Sequence, residues 1–146
     1  MDFASEKISL DDSIEVVNDW FYDQGWTDGL PIIPPTSGRV EKILAWTDRD
    51  PQDELGTMPP KYGIATVEKL AINVVMAGCV PEYFPVIIAA VEALLEGSFN
   101  LYGVQSTTHP CAPLLILNGP IAAEIGVNAG YNAFGQGWRP NATIGR

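Results

Sequence analysis

The reactive side chains of this sequence gather in two places. Residues 106–120, STTHPCAPLLILNGP, hold its only histidine, His109, together with Cys111, Thr107, Thr108 and Asn118, set around the apolar run Leu114 to Leu117. Residues 79–83 add the second cysteine, Cys79, followed by Glu82 and Tyr83. A cysteine near a helix start is favoured as a thiolate, because the helix dipole and the free N–H groups of the first turn stabilise an anion. Cys79 lies two residues before Pro81, a residue type favoured at the first helical position, and so is placed to act as a nucleophile or redox thiol. Its ordinary alternative role is that of a small buried hydrophobe. His109 titrates near neutral pH and is held extended by Pro110, which suits a general acid or base acting on Cys79 or on substrate; a lone histidine is also commonly structural.

Two further chemistries are open to these residues. Glu82 or Tyr83 with His109 would serve a cofactor-free lyase or hydratase, although an acid at a helix start is also simply stabilising. His109, Cys111 and Cys79 are soft and borderline ligands of the kind that bind zinc, copper or iron, but neither C-x-x-C nor H-E-x-x-H occurs, and no metal or other cofactor is expected. Thr107, Thr108, Asn118, Asn128 and Arg139 are the candidates for holding a carboxylate or oxyanion of a small-molecule substrate. No G-x-G-x-x-G follows a strand pattern and no P-loop occurs, so no nucleotide fingerprint is present.

The elements that must position these groups follow from periodicity. Acidic Asp11 and Asp12 precede apolar Ile14, Val17, Trp20 and Phe21, which predicts a helix ending at Gly25 with its aromatic face inward. Pro31, Pro34 and Pro35 make the next segment extended. Helices are expected over 39–46, 65–78, 81–97 and 120–126, with 55–62 an extended crossing and 99–108 and 112–117 two strands. Residues 127–146 read as a loop that ends on the beginning of a helix, Asn141 to Arg146, too short to close a turn. The order is mixed helix and strand: α/β or α+β, with an α/β sandwich preferred.

The chain has 146 residues, 47% of them hydrophobic, which is enough for one core, and no linker-like tract divides it. We therefore expect a single unit over 1–146. The net charge of −10 with eight scattered basic residues excludes the clustered cationic surface that nucleic acid or an anionic membrane requires. No apolar run approaches the roughly 20 residues of a membrane span. Absence of a basic and apolar leader at Met1, with only two cysteines, fits a reducing cytoplasm. Thirteen of the eighteen acidic residues precede Leu55, whereas between Gly97 and Trp138 the only charged residue is Glu124. So polar a first third reads as solvated surface, and so uncharged a last third as core and glycine loops, a ligand pocket or a buried subunit interface.

Four stretches, TDGLPIIPPT (27–36), VVMAGCVPEYFPVIIAAV (74–91), TTHPCAPLLILNGP (107–120) and GWRPNATIGR (137–146), resemble the amino-terminal region of a bacterial family associated with UGSC (seleno)proteins. The resemblance spans most of the chain from Thr27 onward and implies thiol or redox chemistry on a small molecule. It favours Cys79, within AGC-x-PEY-x-PV, over Cys111. No U/C-G-S-C segment is present, so that part of the chemistry would have to come from another chain. The family pattern also runs on past Arg146, from which we expect a second polypeptide that completes the fold, a hetero-oligomer, and residues 126–146 packed against the partner. A non-catalytic partner or scaffold subunit is the alternative of a different class.

Overall fold

The computed structural model describes residues 3–146. Its elements run α1 (Ile14–Asp23), α2 (Ser37–Leu44), β1 (Glu54–Met58), β2 (Gly63–Thr66), α3 (Val67–Met76), a 3₁₀ turn (Pro81–Tyr83), α4 (Phe84–Leu95), a second 3₁₀ turn (Gly97–Phe99), α5 (Leu101–Ser106), α6 (Pro120–Glu124) and α7 (Arg139–Gly145). Among the described residues the only sheet is the antiparallel hairpin β1–β2, with a bulge at Glu54/Gly56. The architecture is therefore a mixed, α+β arrangement of helices with one hairpin, and the preferred sandwich, which needs a larger sheet, is not formed.

The centre is a cluster of Val40, Ile43 and Leu44 from α2, Val67, Ala71, Val74 and Val75 from α3, and Phe84, Ile87, Ile88 and Val91 from α4. Their spacing of three and four puts each set on one helical stripe, so three helices meet side by side. Phe84 and Val67 are wholly inaccessible; burial of such a side chain stabilises by about 1.5–3 kcal/mol. Thr66 starts α3 by accepting a hydrogen bond from the Lys69 N–H at 3.3 Å. The hairpin lies close against α4: a side chain at Gly56, whose φ is +147°, would meet Leu95 Cδ1 at 3.1 Å.

The amino-terminal arm is tied to this core by one buried carboxylate. Glu68, 1% exposed, accepts from the Ala4 N–H (3.1 Å), the Ser5 N–H (2.8 Å), the Ser5 hydroxyl and the Gln52 amide (2.7 Å). The arm leads into α1, capped by the Ser13 hydroxyl, which accepts from the Val16 N–H at 3.4 Å. Contrary to expectation, α1 buries no residue. Trp20, Phe21 and Trp26 pack edge to face on one another, with ring centroids 5.3–5.9 Å apart, instead of inserting into the core.

Two other expectations are corrected. Residues 99–108 form no strand, because Asn100 takes the left-handed conformation (φ 55°) and its side chain accepts from the Gly103 N–H at 3.3 Å, capping α5. With that strand gone, 112–117 has no neighbour to pair with, and it runs without regular structure. Residues 139–145, read as loop and unclosed helix start, make helix α7, with Pro140 in the first turn where its missing N–H is tolerated. No single helix among the described residues is long and apolar enough to cross a membrane.

Candidate functional site

Helix α3 ends at Met76 with Ala77 as its cap, and Gly78 turns the chain with φ +84°, the left-handed conformation that glycine adopts without strain. The Gly78 N–H donates to Val75 O (2.9 Å) and the Cys79 N–H to Val74 O (3.1 Å), closing the helix. Cys79 follows, then extended Val80, then the 3₁₀ turn that carries Glu82 and Tyr83 into α4. The thiol therefore sits at a junction between two helices.

Helix α7 covers that junction. Arg139 Nε and Nη2 donate to Gly78 O at 3.1 and 2.9 Å, and the Cys79 thiol donates to Thr143 O at 3.2 Å. The end of α7 is fixed in turn by Arg146, whose Nε and Nη2 reach the Asp28 carboxylate at 2.6 and 2.7 Å, with Nη2 also on Leu30 O at 3.3 Å. That guanidinium, helped by the Leu30 N–H, lowers the Asp28 carboxyl to about 2. The proline-rich segment is held from its other side: Ile32 N–H donates to Asn18 Oδ1 (2.6 Å) and Ile33 N–H to Met76 O (3.2 Å). Segments far apart in sequence, around residues 28–33, 76–83 and 139–146, thus converge.

The electrostatics run against the expected thiolate. Burial pushes the Cys79 thiol up, with the Arg139 charge acting the other way, so at neutral pH it is a thiol donating to a carbonyl. The helix start is also not where it was expected, since α4 begins only at Phe84 and Cys79 stands outside its first turn. Tyr83, 6% exposed, is raised by burial too, with opposing influence from Arg139 and smaller like-charge effects from Cys79 and Glu82. Arg139 is thus within electrostatic reach of both Cys79 and Tyr83, and Tyr83 within reach of Cys79 and Glu82: two neutral hydrogen-bond donors beside a guanidinium, with a carboxylate next to the phenol.

The other candidates lie elsewhere or have structural occupations. His109 is exposed, its N–H donating to Thr107 Oγ1 at 3.1 Å, and no hydrogen bond joins its ring to Cys79. Thr108, Cys111 and Asn118 are exposed along the same irregular segment. Asn128 is taken up in the carboxy-terminal loop: its N–H donates to Asn141 Oδ1 (2.9 Å), its side-chain NH₂ to Tyr131 O (2.9 Å), and its Oδ1 accepts from the Gly130 N–H (2.9 Å). Among the described residues no group of three or more His, Cys, Asp or Glu side chains is placed to hold a metal ion, so Cys79, His109 and Cys111 are not gathered into one. Sequence reasoning missed Asp28, Thr143 and Arg146, the residues that close α7 over the thiol; a helix within 139–146 was the signal that would have found them.

The three most exposed large apolar side chains among the described residues, Tyr131, Phe134 and Ile116, lie in the uncharged third. Leu114 is 64%, Ile116 83%, Tyr131 98% and Phe134 91% exposed. Neither a family model, a curated protein nor a solved structure matches the chain.

Proposed function

We propose that this chain is one subunit of a hetero-oligomer, in which a second polypeptide covers the surface formed by residues 112–116 and 131–138. The observation that carries the reading is the exposure of Leu114, Ile116, Tyr131 and Phe134 in a region whose only charge is Glu124. Isolated exposed apolar residues are ordinary, but this many, with aromatics among them and no charged residue interleaved, is the composition of an interface core. Residues 112–117 lie outside regular structure and make no backbone hydrogen bond among the described residues, so their N–H and C=O groups are open to pairing with another chain. Replacement of Ile116, Tyr131 and Phe134 by serine tests it. The isolated chain is expected to keep its melting temperature, because the three side chains bury little within it, while the affinity for the partner falls by at least roughly tenfold; unchanged affinity would refute the reading.

A second reading places small-molecule chemistry at Cys79, in line with the family resemblance. It is supported by the convergence of Cys79, Glu82, Tyr83 and Arg139, with a thiol and a phenol kept protonated and a guanidinium able to hold an anionic group. On this reading the partner completes the site, His109 joins only through that assembly, and the isolated chain turns nothing over. Loss of turnover by the assembled Cys79→Ser protein, with assembly intact, is the expected result; full activity of that variant would leave the docking role alone standing.

A further inference from the structure

A cleft of about 970 Å³ opens beneath α1. Val17, Phe21 and Trp26 line it on one side and Val40, Ile72 and Met76 on the other, with Ile8 and Leu10 of the amino-terminal arm along its edge. This explains why a helix with a regular apolar stripe buries nothing: its stripe faces the cleft and not the core. The volume falls in the range of roughly 300–1,000 Å³ that small-molecule sites occupy, and the walls are apolar and aromatic as such sites are.

The polar groups at this cleft select a charge. Glu6, Asp11 and Asp12 line it, and among the described residues their carboxylates make no hydrogen bond or salt bridge. The lining also holds two exposed cations, Lys7, whose ammonium lies 5.6 Å from the Phe3 ring centroid, and Arg39, which donates to Pro34 O at 2.9 Å, so its carboxylates outnumber its cations by three to two. A net charge of −10 on the whole chain adds to the same field. An apolar cleft whose lining carries one carboxylate in excess, in a chain of net charge −10, suits an organic cation with an apolar body, and Trp26, exposed on the lining, adds a cation–π surface for its head group.

We propose that the cleft beneath α1 binds a small amphipathic organic cation, an alkyl- or arylalkylammonium compound. The reading does not rest on Cys79, Glu82, Tyr83 or Arg139 and stands whether or not the chain is a docking subunit. Isothermal titration of the full chain with octyltrimethylammonium, and separately with octanoate, both below their micelle-forming concentrations, provides the test. The cation is expected to saturate one site and to bind roughly tenfold tighter than the anion at low salt, a ratio that a few screened carboxylates supply. High salt and the Asp11→Asn/Asp12→Asn double variant should each shrink that ratio. Val17→Trp on α1, where no buried residue is disturbed, and Ile72→Trp on the opposite wall should each fill the cleft and abolish binding, with circular dichroism confirming the fold. Equal or tighter binding of octanoate, absence of saturable binding, or full binding by the Val17→Trp variant would overturn the proposal. So would a dimer of the chain that Val17→Trp dissociates while neither probe binds, since the cleft would then belong to a second copy.

Discussion

Glu68→Gln is the substitution whose consequence the structure fixes most closely. The carboxylate is 1% exposed and receives four hydrogen bonds, two from backbone N–H groups of the arm, one from the Ser5 hydroxyl and one from Gln52. Glutamine keeps the volume but turns one accepting oxygen into an NH₂ that faces another donor, either Ala4 and Gln52 or Ser5. Losing charge-assisted bonds and leaving donors unpaired in a buried place costs about 2–3 kcal/mol. For a chain of this size that is a fall in melting temperature of roughly 5–10 °C. The pH dependence supplies a sharper check. Burial alone would raise the Glu68 carboxyl, but the bonds from Ser5, Ala4 and Gln52 outweigh it and hold it below the usual carboxylate range. A carboxyl lower in the folded than in the unfolded chain, whose value is about 4.3, contributes stability that is full above that pH and lost as pH falls through the folded value. Urea unfolding of both proteins at several pH values should therefore show a gap that is widest at neutrality and closes in acid. A gap that stays constant from pH 7 down to pH 3, or equal stability at pH 7, would refute the reasoning.

Two further outcomes follow from the region around Cys79. The Asp28 carboxyl should titrate at about 2 by NMR and return toward the ordinary value of about 3.9 in Arg146→Ala. With a disulfide-exchange reagent at neutral pH, exposed Cys111 should react fast and Cys79 slowly, the two converging in denaturant; in Arg146→Ala, with α7 released, Cys79 should speed up. A native Cys79 as fast as Cys111 would contradict the protonated, covered thiol.

Much of the helical layout was legible because it is written in local signals. Acidic Asp11 and Asp12, Pro81 and the apolar stripes of 67–76 and 84–95 declare helices by local charge, by turn chemistry and by spacing, and these depend on neighbours within a turn or two. What the stripe of α1 faces was not legible, since periodicity reveals an apolar face and not its partner; here the face borders a cleft. Residues 99–108 misled because Phe99 and Leu101 flank polar Asn100 with the two-residue alternation of a strand, whereas Asn100 in the left-handed region sets a helix. At the site, Cys79, Glu82 and Tyr83 are neighbours in sequence and so were read together, but Arg139 comes to them only through α7, and His109 was joined to them by chemistry that the fold does not bring into contact.

Native mass spectrometry with hydrogen exchange, on the chain alone and on the assembly purified from its source cells, tests the docking account most directly. We expect the 15.8 kDa chain alone to self-associate and bind an apolar dye, and the assembly to contain a second, different polypeptide that protects residues 112–116 and 131–138 from exchange. A 15.8 kDa monomer with low dye binding in both preparations, and the same exchange across those residues, would contradict it.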